Sequence, residues 1–83
     1  MQFKWKKNNL DGIIEYVLLL NNREIATILR NIYNRKEVRY SAHNFNNELL
    51  CYRQYLKDAK QVVIEDVEKW LNIKIKEIGR AHV

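Results

Sequence analysis

Proline is absent from this chain of 83 residues, and glycine occurs twice. The glycines stand at Gly12 and Gly79, so nothing between them forces a helix to stop. That feature predicts an all-α or nearly all-α fold. A chain this long makes one domain, residues 1–83, whose core buries about 60–65% of the extended surface. At 47% hydrophobic and 30% charged residues, the composition belongs to a folded protein rather than a disordered one.

Apolar spacing divides the chain into helical segments. Residues 1–9 mix lysines with Phe3 and Trp5 and read as a basic arm. Leu10, Ile13, Ile14, Val17 and Leu20 share a face of a first helix, which Leu18 and Leu19 widen. Asn21 and Asn22 make a tight break, and Asn22 caps a second helix running to about Tyr33, with Ile25, Ile28, Leu29 and Ile32 on one side. Residues 34–40 connect it to a third helix, Ser41–Leu56, capped by Ser41 and striped by Phe45, Leu49, Tyr52 and Leu56. Asp58 caps a last helix with Ile64, Val67, Leu71, Ile75 and Ile78 along one side. Its acids lie early and its bases late, as a helix dipole favours. A rival reading makes Val62–Ile64 and Ile73–Ile78 two strands of a small C-terminal β wing. Gly79 ends the element, and residues 80–83 form a tail. The expected architecture is a compact bundle of about four helices.

The net charge of +5 is uneven. Residues 1–40 hold eight Lys/Arg against four Asp/Glu, and residues 41–83 hold seven against six. A basic half points to an anionic partner, such as nucleic acid, or else serves as solubility charge. Cys51 is the only cysteine, which excludes a disulfide framework and a multi-cysteine zinc site, and makes a reducing, cytoplasmic setting the default. The apolar run Ile13–Leu20 contains Glu15 and is too short to span a bilayer. The basic connector has no matching apolar face for a membrane surface.

The third helix carries the chemistry of interest. Its first turns hold His43, Asn44, Asn46 and Asn47 where carboxylates are usual, leaving a positive helix end lined with amides. The order of a supporting helix, an Asn-Asn break, the segment Arg23-Glu24-Ile25-Ala26 and the polar-faced helix resembles the helix-turn-helix family, particularly its winged-helix branch, over about residues 10–57. The resemblance implies that Ser41–Leu56 enters the major groove of double-stranded DNA. It implies base contacts from Asn44, Asn46, Asn47 and His43, and phosphate contacts from Arg35, Lys36, Arg39, Tyr40, Arg53 and Lys57. The expected function is then transcription or replication regulation.

Catalysis has little support in the residues. His43 and Cys51 stand about 12 Å apart on one helix, too far for a nucleophile and its base. His43 and Asn47 make a poor metal site, glycine-rich phosphate loops are absent, and no cofactor is expected. A second reading is a small protein-binding module or inhibitor of viral or mobile-element origin, acting through a helical surface. A homodimer through residues 61–78 suits either reading.

Overall fold

The computed structural model describes residues 2–33 and 37–71, and these form five β-strands followed by one α-helix. The strands are β1 (Phe3–Leu10), β2 (Ile13–Leu20), β3 (Arg23–Tyr33), β4 (Glu37–His43) and β5 (Leu49–Arg53), and the helix is α1 (Leu56–Leu71). They pair as an antiparallel meander in the order β1-β2-β3-β4-β5, so β1 and β5 are its edges.

Two turns specify the sheet locally. Leu10 pairs with Ile13 across Asp11 and Gly12, whose φ angles are 52° and 84°. Leu20 pairs with Arg23 across Asn21 and Asn22, with φ of 51° and 67°. Two consecutive positive φ values are the signature of a type I′ turn, whose twist matches that of paired strands. Aspartate, asparagine and glycine adopt this region at least cost. The Asn21 side-chain oxygen also accepts a hydrogen bond from the Gln2 amide at 3.0 Å, and the Asn21 amide donates to the Gln2 carbonyl at 2.9 Å. That pair ties the second turn to the start of β1.

One face of the sheet packs under α1, which lies across β4 and β5 and reaches β3. Leu18, Ile25, Ala26, Ile28 and Ala42 meet Ala59, Val63, Ile64 and Val67 in a buried core. Two bulges shape this face. Leu18 pairs with Ala26 and Leu19 with Glu24, so Ile25 is an extra residue and joins Ala26 in the core. Leu50 is likewise extra between the partners of Ala42 and His43, and it also packs on the core. On the opposite face Val17, Leu19 and Ser41 are buried as well.

The all-α expectation is therefore corrected to a mostly β fold, and the helix-turn-helix resemblance falls with it. The basic arm is β1, and the first and second helices are β2 and β3. The supposed recognition helix is the end of β4, a loop and β5. Its stripe of Phe45, Leu49 and Tyr52 stays exposed, and Ser41 is not a cap but a buried residue of β4. The reason is cross-strand pairing: each segment exchanges hydrogen bonds with its neighbour, and two of the joining turns favour the hairpin. The fourth helix exists, beginning at Leu56 with Asp58 in its first turn. Val62–Ile64 lies inside it, so the rival wing has no strand there. The second wing strand, Ile73–Ile78, falls outside the described residues. Within the dimer candidate, Val63, Ile64 and Val67 are buried in the chain's own core.

Candidate nucleic-acid interface

α1 covers one side of its sheet face and leaves the β1–β2 side open to solvent in part. Register fixes what that side displays, because residues paired across strands share a face. Lys7 pairs with Tyr16, Arg30 with Tyr40, and Tyr40 with Arg53. Tyr16 and Tyr40 pack against the helix-side core, and their rings lie 6.3 Å apart. Lys7, Arg30 and Arg53 therefore stand on the helix side of the sheet. From α1, the Lys60 ammonium lies 5.1 Å from the centre of the Trp5 ring and 5.7 Å from that of Tyr16. Lys57 precedes it by three residues, on the same flank of the helix.

The result is a band of five cations, Lys7, Arg30, Arg53, Lys57 and Lys60, around Trp5, Tyr16 and Tyr40. The strand carboxylates are absent from it. Glu15 pairs with Asn8 and accepts a 3.0 Å hydrogen bond from its amide, Glu24 pairs with Leu19, and Glu37 holds Arg39 two residues along its own strand. All three lie on the opposite face. On α1, Glu68 stands about 12 Å along the axis from Lys60. A surface rich in positive charge with aromatic interleaving is the electrostatic footprint of a polyanion site.

Partial burial pushes the Lys60 pKa below its ordinary value of 10.5. The unfolded chain holds that proton more tightly, so stability rises with pH between the lowered value and 10.5 and carries the desolvation cost below it. Lys60→Met keeps the stem against Trp5 and removes the charge. It is expected to keep or raise the melting temperature at pH 7, and to flatten the alkaline rise in stability, both checked by thermal denaturation across pH.

The residues expected to contact DNA are dispersed. Tyr40, Arg53 and Lys57 belong to the band. Arg39 lies on the other face in a 2.6 Å ion pair with Glu37, and Arg35 and Lys36 fall outside the described residues. His43 ends β4, and Asn44, Asn46 and Asn47 form the loop before β5, about 13 Å along β4 from Arg39. Local geometry accounts for two of these amides. The Asn44 side-chain oxygen accepts hydrogen bonds from the amides of Asn46 and Glu48, each 2.9 Å, and so ties the loop together. Asn47 has φ of 62°, a conformation that asparagine tolerates better than most residues. His43 Nε2 lies 3.1 Å from Ser41 Oγ, which also accepts a 2.9 Å hydrogen bond from Asn31. Serine and histidine are the types of a nucleophile–base pair, but Ser41 is only 4% exposed and His43 Nδ1 is buried without a hydrogen-bond partner. Among the described residues, no acceptor orients the ring as a base.

Lys7, Arg30 and Lys60 were not among the expected contacts. The alternation of Phe3-Lys4-Trp5-Lys6 carried the signal for β1, and with it the side on which Lys7 would stand. Among the described residues, no group of three His, Cys, Asp or Glu side chains converges to hold a metal. No described helix is long and apolar enough to cross a membrane. Comparison with protein-family models, curated proteins and solved structures yields no match.

Proposed function

We propose that this protein binds double-stranded DNA without acting as an enzyme, through the helix-side band of its sheet rather than through a recognition helix. The observation that carries the reading is the segregation of charge. Lys7, Arg30 and Arg53 stand on the helix side of the sheet together with Lys57 and Lys60 of α1, while Glu15, Glu24 and Glu37 stand behind it. The aromatic residues favour a duplex over a single strand. Sequence-tolerant binding of single strands needs ring faces open for bases to stack on. Here Lys60 lies over Trp5 and Tyr16, and Tyr16 abuts Tyr40. The rings hold Lys60 in place, and the cations would meet phosphates. A role in transcription or replication control inside the cell follows from duplex binding.

Titration with random duplex DNA at about 50 and 200 mM salt tests this. Five phosphate contacts give a slope near −4.5, hence a loss of about 500-fold in affinity between the two conditions; a single strand held by the same cations would lose about 130-fold. No binding at the lower salt, or a slope worth only one or two contacts, would refute the band as a DNA site.

A further inference from the structure

Beyond the row Arg30–Tyr40–Arg53 the sheet narrows to two strands. β2 pairs with β3 as far as Leu29, and β5 pairs with β4 as far as Tyr40. β3 and β4 continue together through the pairs Asn31–Arg39, Ile32–Val38 and Tyr33–Glu37. They make a two-stranded ribbon that runs about 10 Å past Arg30. Strand alternation fixes its faces. Ile32 and Val38 lie two residues from Arg30 and Tyr40, so they stand on the face of the cation band. Ile32 is 60% exposed, and Val38 is half-buried beside it. Asn31, Glu37 and Arg39 stand on the other face, where Glu37 holds Arg39 and Asn31 donates to Ser41. The band face of the ribbon is thus apolar at Ile32 and Val38. At its base Arg30 and Arg53 stand on either side of Tyr40, about 10 Å apart by strand spacing.

We infer that this ribbon enters the major groove of duplex DNA, with Ile32 against the C5-methyl group of a thymine. This placement rests on the band being a DNA site, and adds which groove the duplex presents to it. Size selects the groove. A major groove about 12 Å wide and 8.5 Å deep admits a two-stranded ribbon, and a minor groove about 6 Å wide does not. Charge fixes which face turns inward. With the band face toward the bases, Arg30 and Arg53 meet phosphates along the groove walls, and the Glu37 carboxylate points to solvent. The chemistry of the face selects the base. Ile32 and Val38 offer methyl groups and no hydrogen-bond donor, and the apolar feature of a base edge in this groove is the thymine methyl.

The test is fluorescence anisotropy of the full-length protein with a labelled duplex of alternating adenine and thymine, and with the same duplex carrying uracil for thymine. Uracil removes the C5-methyl groups and leaves every phosphate in place. The uracil duplex is expected to bind about fourfold more weakly, the worth of one methyl group taken out of water. Ile32→Ala should bind the two duplexes alike. Its slope against log salt should stay near −4.5, because no cation is lost, and its melting temperature should hold, because Ile32 is exposed. Equal affinity of the unaltered protein for the two duplexes overturns the inference, and so does a thymine preference that persists in Ile32→Ala. In both of those cases a slope near −4.5 leaves the band standing as a DNA site. No binding to either duplex, or a slope worth only one or two contacts, refutes the band and the groove placement together.

Discussion

Leu18→Ala is expected to lower the melting temperature by about 15–25 °C, the largest loss of stability that a single truncation should produce here. Leu18 is fully buried in the centre of β2, paired with Trp5 on one side and Ala26 on the other, within the cluster that α1 covers. Removing its three outer carbons leaves a cavity between sheet and helix that neither can fill by moving alone. Such truncations cost about 3–4 kcal/mol, against a total stability of about 4–12 kcal/mol for a chain of this length. Leu10→Ala is the control, because Leu10 is 64% exposed beside the first turn and its truncation should change stability by less than about 0.5 kcal/mol. Equal effects of the two substitutions in urea or thermal denaturation would contradict the burial of Leu18 in the core that α1 covers.

The combined variant Lys7→Ala/Arg30→Ala/Arg53→Ala is expected to lose about a thousandfold in affinity for duplex DNA at 50 mM salt, since each phosphate contact is worth about tenfold there. The slope against log salt should fall from about −4.5 to about −1.8, leaving Lys57 and Lys60 as the remaining contacts. These side chains lie at the margin of the core, so the melting temperature should move little. Neutralising Lys4, Lys6 and Arg39 on the opposite face removes the same charge. A band that binds DNA predicts a much smaller loss for this second triple variant, whereas general attraction to a protein of net charge +5 predicts equal losses. Fluorescence anisotropy with a labelled random duplex distinguishes the two.

Ile13-Ile14-Glu15-Tyr16-Val17-Leu18-Leu19-Leu20 is apolar on both faces, so it satisfies a period of 3.6 as readily as a period of 2. In the structure both faces of β2 are buried at Val17, Leu18 and Leu19, which is why the run lacks clean alternation. The absence of proline permits helices, but strands tolerate proline no better. The evidence against helices stood at the joints. Asp11-Gly12 and Asn21-Asn22 each lie between apolar runs and are strong hairpin signals. The asparagines of residues 44–47 likewise belong to a turn, where an amide side chain closes a loop at Asn44 and a left-handed backbone is tolerated at Asn47. Phe45, Leu49, Tyr52 and Leu56 recur at helical spacing by coincidence, and three of the four remain exposed.

The residues alone determined the surplus of cations over carboxylates and the amphipathic segment that becomes α1. Each of these depends on composition or on spacing within a few residues. Only the tertiary structure decided where the cations stand. Lys7 and Arg53 are separated by most of the chain, yet four successive strand pairings bring them to one face of one sheet with Arg30 and Lys60. A shift of one residue in any pairing would turn the affected side chains to the opposite face, and the band would not exist. Register is set by the turns and bulges together with the burial of Leu18, Ile28 and Ala42 beneath the helix. Those contacts are non-local, so no window along the chain contains them.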